Sequence, residues 1–445
     1  MKKSYLLILI AFVFTSCFSQ DIPTQLDELL QVYSKQYKFN GSALVVHNGK
    51  ILLDKGYGLR NAGDKIPNDP NSIFQIGSIT KQFTSTVILK LQEEKKLSVT
   101  DKLSKYFPDY PKGDSITIEQ LLTHTSGIYS YTSDPVFMEN EVSKPADRQK
   151  MMALFKDKPL QFSPGTQWEY SNSAYMLLGY IIEDVAKMPY EKAVRRYIFQ
   201  PAGMSHSGFD FTHLNSKNKA TGYFRLTDEK NITAPIVDSS VSYAAGAIYS
   251  TTGDLYKWYQ SLQANKIIKA ASKEKAFTPV KNNYGFGWSI DSLFSKRRVG
   301  HGGGIHGFNT NMASIPGDNT CVILLNNASS PHLNAITESI FAILYNKSYE
   351  LPKEKASIAI PEDILKQYVG VYDLSPELII TIRVENGKLF GKPEGQEELQ
   401  LRPEKEDTFF VNEVEAEVRF SRNENKEITA LTLLQRGKEM TGKKR

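Results

Sequence analysis

Cysteine is nearly absent: Cys17 and Cys321 are the two in 445 residues. Two thiols build neither a disulfide scaffold nor a cysteine-rich zinc site. Charge of one sign is also scarce. Lys and Arg number 54 against 49 Asp and Glu, a net +5. Over this length that is too thin for a nucleic-acid footprint, and no basic block runs past three residues, the terminal Lys443-Lys444-Arg445 included. Beyond the N-terminal stretch no apolar run approaches the roughly 20 residues that cross a bilayer. Low-complexity tracts and long-period repeats are missing too. With 40% hydrophobic and 23% charged residues, the composition excludes disorder and fibrous architectures. At roughly 150 residues per domain, the length predicts two or three domains.

Lys2 and Lys3 precede an apolar run from Leu6 to Phe14, and Thr15, Ser16 and Ser19 follow. Positive charge, a short apolar stretch and small residues are the three parts of a secretory signal, here residues 1–20. Two processing routes stay open. Phe14-Thr15-Ser16-Cys17 resembles a bacterial lipobox, which makes Cys17 a lipid-anchored N-terminus. Cleavage after Ser19 or Gln20 instead releases a soluble protein. Both predict export to the periplasm or beyond, with membrane contact only through lipid on Cys17.

Ala43–Val46 and Ile51–Leu53 flank Asn48-Gly49, a dipeptide suited to a tight hairpin turn. A helix is predicted from near Ser78, where Ile79, Phe83, Val87, Ile88 and Leu91 form one apolar face. Residues 100–210 read as mainly helical, strand-like runs return from Tyr284 to Asn327, and Ala335–Tyr345 reads as a closing helix. Pro352, Lys353-Glu354-Lys355 and Pro361 interrupt the patterning and predict a linker over 351–361. Beyond it, Leu378–Val384, Asn386-Gly387 and the short apolar runs at 408–411, 415–420 and 428–434 predict a small all-β barrel or sandwich over 362–445.

Three elements can carry chemistry. Ser78-Ile79-Thr80-Lys81 is a Ser-x-x-Lys, a pattern that recurs at Ser216/Lys219 and Ser272/Lys275. Context separates the first: it opens the predicted amphipathic helix, where free N–H groups favour an oxyanion. One helical turn brings Lys81 to the Ser78 hydroxyl, and a lysine withdrawn from water can accept a proton at neutral pH. Taken alone, the pattern reads first as Ser78 serving merely as an N-cap. Tyr170-Ser171-Asn172 is the only Tyr-x-Asn in the chain. A phenol beside a cationic lysine can be held partly ionised and act as base, and the Asn amide can bind a substrate carbonyl; a loop tyrosine with a turn asparagine accounts for the pattern equally. The third element is Gly300-His301-Gly302-Gly303-Gly304, whose glycines admit a ligand close to the backbone. It too has a plain reading, as a glycine-rich hairpin. Gly302, Gly304 and Gly307 also spell Gly-x-Gly-x-x-Gly, but no helix opens after them, which argues against a nucleotide site.

In this order the three elements resemble the serine β-lactamase/penicillin-binding-protein superfamily, in its class C β-lactamase-related branch. Gly56-Tyr57-Gly58, Phe74-Gln75-Ile76-Gly77, Leu121-Leu122-Thr123-His124-Thr125-Ser126-Gly127 and Phe162-Ser163-Pro164-Gly165 extend the resemblance over roughly residues 24–345. It implies an α/β (α+β) domain over 21–350, an antiparallel sheet packed by helices with a helical subdomain. It also implies roles: Ser78 as nucleophile, Lys81 and Tyr170 as the proton-handling pair, and Asn172, His301, Gly303 and Gly304 at the substrate. The N–H groups of Ser78 and Gly304 form the implied oxyanion hole, and His124 is structural. Where β-lactamases usually carry Lys-Thr-Gly this chain has His301-Gly302-Gly303, a form familiar among esterase and D-amino-acid peptidase relatives; His306 adds a second histidine without an assigned role. Tyr368-Val369-Gly370-Val371-Tyr372 resembles the lipocalin-like barrels appended to such hydrolases. The resemblance implies a serine hydrolase acting through an acyl-enzyme on D-residue peptides, esters or β-lactams, with no metal or organic cofactor. Its rival is a non-catalytic receptor for peptidoglycan peptides.

Overall fold

Asn48 and Gly49 both take positive φ, 51° and 76°, as a two-residue I′ turn requires. They join β1 (Gly41–His47) to β2 (Lys50–Tyr57). This computed structural model describes residues 21–228, 230–352, 357–376, 378–396, 398–411, 414, 416–435 and 437–445. The expected signal over 1–20, Cys17 within it, and residues 353–356 of the expected linker lie outside the described residues. Contacts divide the chain into two units that meet at Leu351/Pro352.

The first unit is built on one antiparallel sheet. Its later strands are β3 (Ser289–Leu293), β4 (Lys296–Ile305), β5 (Phe308–Ile315) and β6 (Thr320–Asn326). The order is β2-β1-β6-β5-β4-β3, so the two ends of the unit supply the two edges. Alternation along the strands sends side chains to two cores. Ala43, Val45, Val322 and Leu324 face the flanking helices α1 (Ile22–Lys35) and α5 (Leu333–Leu344). Leu44, Val46, Ile323 and Leu325 face the helical body around α2 (Thr80–Glu93), α3 (Asn172–Ala186) and α4 (Ser239–Gly246).

The sequence predicts one apolar face for α2, yet every residue from Thr80 to Leu89 is buried. It lies inside the helical body, and its polar side chains find internal partners: Gln82 accepts from the Trp258 indole at 3.2 Å, and Thr84 donates to the Ala244 carbonyl at 2.7 Å.

The second unit is a closed barrel of eight strands: β7 (Gly370–Ser375), β8 (Leu378–Glu385), β9 (Lys388–Pro393), β10 (Leu399–Lys405), β11 (Thr408–Val411), β12 (Ala416–Arg422), β13 (Ile428–Gln435) and β14 (Lys438–Lys444). Asn386 and Gly387, at φ 50° and 69°, make the β8–β9 turn. Tyr368, Tyr372, Phe409 and Phe420 pack ring on ring with centroids 4.6–5.6 Å apart. The rest of the lumen holds a cavity of about 200 Å³ walled by aliphatic residues such as Ile382, Leu401, Val418 and Leu431. Among the described residues no helix is long and apolar enough to cross a membrane.

Candidate active site

Gly77 takes φ 53°, and a Cβ there would lie 2.9 Å from the Gly304 nitrogen. Glycine therefore lets the turn that carries Ser78 touch β4. That turn is a short 3₁₀ segment, Gly77–Ile79, leading into α2 and placing Lys81 one turn on. The Lys81 side chain is fully buried. Its Nζ lies 3.1 Å from Ser78 Oγ, 2.7 Å from Asn172 Oδ1 and 2.8 Å from the Ala245 carbonyl oxygen. Burial holds its pKa well below the ordinary lysine value. A neutral amine has two N–H donors and one lone pair. The oxygens of Asn172 and Ala245 only accept, so they take both donors and leave the lone pair facing the Ser78 hydroxyl. Asn172 is itself oriented, because its amide nitrogen donates to Thr132 Oγ1 at 3.0 Å.

The Tyr170 phenol stands beside the Ser78 side chain, and its ring lies over Lys81, whose Nζ is 4.8 Å from the ring centroid. Burial raises the phenol's pKa above its ordinary value, and the Ser78 contact offsets this only in part. Here the structure corrects the sequence reading of a phenol kept partly ionised by a cationic lysine. With Lys81 held neutral there is no such cation, and Tyr170 is a protonated acid at neutral pH. His124 packs under it, ring centroids 4.2 Å apart, and accepts from the Ser171 N–H through Nδ1 at 3.1 Å. Burial lowers the pKa of His124 well below the ordinary histidine value. The Ser171 hydroxyl accepts from Ala174 N and caps α3. His124 and Ser171 thus fix the backbone between Tyr170 and Asn172.

The third element lies on β4. Ile305 pairs with Phe308 around the two-residue turn His306-Gly307, and pairing alternates back to Gly304↔Asn309. In such a hairpin the closing pair is hydrogen-bonded and the next is not. The Gly304 N–H therefore points away from β5, and β3 pairs no further along β4 than Gly300. That leaves the Gly304 N–H on the Ser78 side. At Gly303 a Cβ would fall 2.0 Å from the Ile76 carbonyl oxygen, so this glycine is required by strand packing.

His301 is buried with both ring nitrogens engaged. Nδ1 meets the Gly302 carbonyl at 2.5 Å and so carries the proton, and Nε2 accepts from the Tyr284 hydroxyl at 2.9 Å. Burial pushes its pKa down to about 4. The sequence reading placed His301 at the substrate; the structure turns it inward. Arg297 pairs with Glu274 and Arg298 with Asp291, so both upstream cations are already committed. His306 stands at the hairpin tip against Phe224 and lines the cleft beside Ser78. Gly302, Gly304 and Gly307 belong to the hairpin and open no helix.

The other two Ser-x-x-Lys pairs are taken up elsewhere. Ser272 donates to Glu93 at 2.6 Å, Lys275 pairs with Glu119 at 3.0 Å, and Lys219 donates to the Thr212 carbonyl at 3.1 Å. Sequence reasoning missed the Ala245 carbonyl, Thr132 and Tyr284. A backbone oxygen carries no residue-type signal, and single Thr and Tyr residues carry almost none.

The Beta-lactamase family profile matches residues 26–347, and a domain family of unknown function, DUF3471, matches residues 354–444. Penicillin-binding protein 4* of Bacillus subtilis is 32% identical, covering 90% of this chain and 94% of that protein. The octameric penicillin-binding protein homologue of Pyrococcus abyssi superposes with a TM-score of 0.66 at 26% identity, covering 95% of this chain and all of the other. A D-stereospecific amidohydrolase from Streptomyces sp. superposes at 0.62 with 25% identity, over 72% of this chain and 98% of its own. With the Ser78–Lys81 turn, the Tyr170–Asn172 segment and the β4 edge meeting at one cleft, and with the profile spanning them all, the chain belongs to the Beta-lactamase family.

Proposed function

We propose that this protein is an exported serine hydrolase that forms an acyl-enzyme on Ser78 and acts on esters or on amides of D-residues. One observation carries the reading: the buried Lys81 Nζ lies within hydrogen-bond reach of Ser78 Oγ, Asn172 Oδ1 and the Ala245 carbonyl oxygen, so a neutral amine that donates to the latter two turns its lone pair toward Ser78. Lys81 takes the Ser78 proton as Oγ attacks the substrate carbonyl carbon. The oxyanion that forms lies against the N–H groups of Ser78 and Gly304, in place before the reaction. As the tetrahedral intermediate collapses, the leaving nitrogen or oxygen takes the phenol proton of Tyr170, which the Lys81 ammonium restores. Water then releases the acyl group by the reverse proton path.

The lining of the cleft supports this substrate class. Met138, Val142, Val237 and Val241 wall the side beside Ser78, which suits an apolar side chain. His301 is uncharged and turned inward, and Arg297 and Arg298 are paired. A substrate carboxylate therefore meets no free cation from β4, which disfavours penicillins and favours neutral esters and amides. The D-stereospecific relative supports the amide side of this reading. The test is a fluorophosphonate adduct mapped by mass spectrometry, with kinetics on p-nitrophenyl acetate, a D-alanyl amide and nitrocefin. An adduct on Ser78, absent in Ser78→Ala, with ester or amide turnover above nitrocefin turnover, is expected. Binding of cell-wall peptides without adduct or turnover would make the protein a receptor instead.

A further inference from the structure

The helical span α4 is broken inside. Tyr243 takes φ 37° and ψ −128°, a region natural to glycine and hostile to a side chain. The break sets the direction of the last turn, and the helix ends at Gly246, so the carbonyls of that turn have no helical partners. Were the helix continued, the Ala244 and Ala245 carbonyls would accept from the N–H groups of Ile248 and Tyr249. Here Ile248 N donates to Thr80 Oγ1 at 3.1 Å and Tyr249 N to the Gly208 carbonyl at 2.8 Å. The two freed carbonyls accept from Thr84 Oγ1 at 2.7 Å and Lys81 Nζ at 2.8 Å.

Glycine would reach this conformation without strain, yet the residue is tyrosine, and its ring is held on several sides. Its centroid lies 5.2 Å from that of Tyr180 and 4.9 Å from that of Tyr190. Beneath it Gly179 leaves the needed space, since a Cβ there would come within 2.5 Å of the Tyr243 ring. Tyr190 also reaches Thr84, hydroxyl to hydroxyl at 2.6 Å, so the ring cluster and the Ala244 carbonyl share one hydrogen-bonded chain.

We propose that Tyr243 is a positioning residue: its ring, wedged between Tyr180 and Tyr190 over Gly179, holds the backbone break that turns the Ala245 carbonyl onto Lys81. The proposal rests on the reading of Lys81 as the base for Ser78. Without the Ala245 acceptor one Lys81 N–H is released, and the lone pair is no longer confined to the Ser78 direction. The effect belongs to the acylation step and not to ligand binding, because Tyr243 acts through the backbone behind Lys81.

The experiment measures kinact and KI for a fluorophosphonate on the full chain, normalised to the labelled fraction. The variants are Tyr243→Ala, Tyr243→Phe and Gly179→Ala, with Ser78→Ala and Lys81→Ala as controls. Tyr243→Ala, which keeps the strain and removes the ring, and Gly179→Ala are expected to lower kinact about ten- to a hundredfold with KI unchanged, and Tyr243→Phe to keep it within about twofold. Gly179→Ala leaves Tyr243 chemically intact and presses on its ring and on the Ala244 Cβ beside it. If both variants keep kinact within twofold, lower only the labelled fraction, or raise KI in proportion, the proposal is overturned. Should the wild type label without Ser78, or Lys81→Ala label at the wild-type rate, the hydrolase reading itself fails, an outcome the controls separate from the first.

Discussion

Two cavities of this chain differ in kind. The cleft beside Ser78 holds only about 90 Å³, the barrel lumen about 200 Å³. The smaller one has a hydroxyl, an amine, an amide and a backbone N–H converging within hydrogen-bond reach. The larger is walled chiefly by branched aliphatic side chains, with Gln396 and Gln435 among its lining. Volume therefore does not locate the chemistry; convergent polar groups with displaced pKa values do. The two regions also handle charge differently. Around Ser78 an amine and two imidazoles are buried and kept neutral. In the barrel the guanidiniums of Arg383, Arg422 and Arg445 stand at its outside, each paired with a carboxylate. A buried neutral base is costly to fold and useful to chemistry, whereas a surface pair is neither.

The largest effect should come from removing the buried amine. Lys81→Met keeps the side-chain length and deletes the base, so acylation of Ser78 is expected to slow by about 10²–10⁴ with probe affinity unchanged. Stopped-flow labelling reads it directly. A loss under tenfold would remove the distinction between the two cavities, since the tuned amine would then be no more than core.

In the barrel the corresponding truncation should change stability. Phe420 packs against Tyr368, Tyr372 and Phe409 with centroids 4.6–5.6 Å away. Phe420→Ala is expected to cost about 3–5 kcal/mol, the transfer term plus the cavity left behind. Denaturant melts followed by barrel-specific hydrogen exchange measure it. A cost below about 1 kcal/mol would mean that the aromatic cluster is loosely packed.

The third effect is a pH slope from the neutral histidine. His301 has its pKa pushed down to about 4, against about 6.5 in an unfolded chain. Between these values the unfolded state binds a proton that the folded state refuses, so stability rises with pH there. Acidification from about pH 6.5 to pH 4 should therefore remove about 3 kcal/mol through this group alone, with no further loss from it below pH 4. Comparing wild type with His301→Gln isolates the contribution from that of His124. Parallel pH profiles would show that His301 is hydrated in solution.

Much of this arrangement was legible in the sequence, and the rest was hidden for identifiable reasons. Asn48-Gly49 and Asn386-Gly387 announced their hairpins because positive φ at both turn positions is expensive for other residues. Ser78-x-x-Lys81 stood out from its two chance copies by opening a helix, and those copies are indeed tied up in unrelated hydrogen bonds. The strand Lys438–Lys444 gave no apolar signal, because its register against β13 and β7 closes the barrel largely through backbone pairing. The inward turn of His301 was equally hidden: it depends on Tyr284, seventeen positions away and silent as a motif. The Ala245 carbonyl lay deepest of all, since its direction is set by one backbone torsion at Tyr243.

The smallest effect is expected at the barrel surface. Arg383 reaches Glu398 and Glu385 and stands over the Phe390 ring. The Glu398 contact shifts its guanidinium further from neutrality. Water surrounds the group, however, and screens the attraction while both side chains lose rotamer freedom to keep it. Arg383→Gln should therefore leave the melting midpoint where it is, at low salt and at high salt alike. Lys81 makes no ion pair and is expected to matter most; Arg383 makes two and is expected to matter least. A clear drop in the midpoint for Arg383→Gln, abolished by salt, would show that the barrel relies on its surface charges, and the contrast between the two regions would then be one of location and not of use.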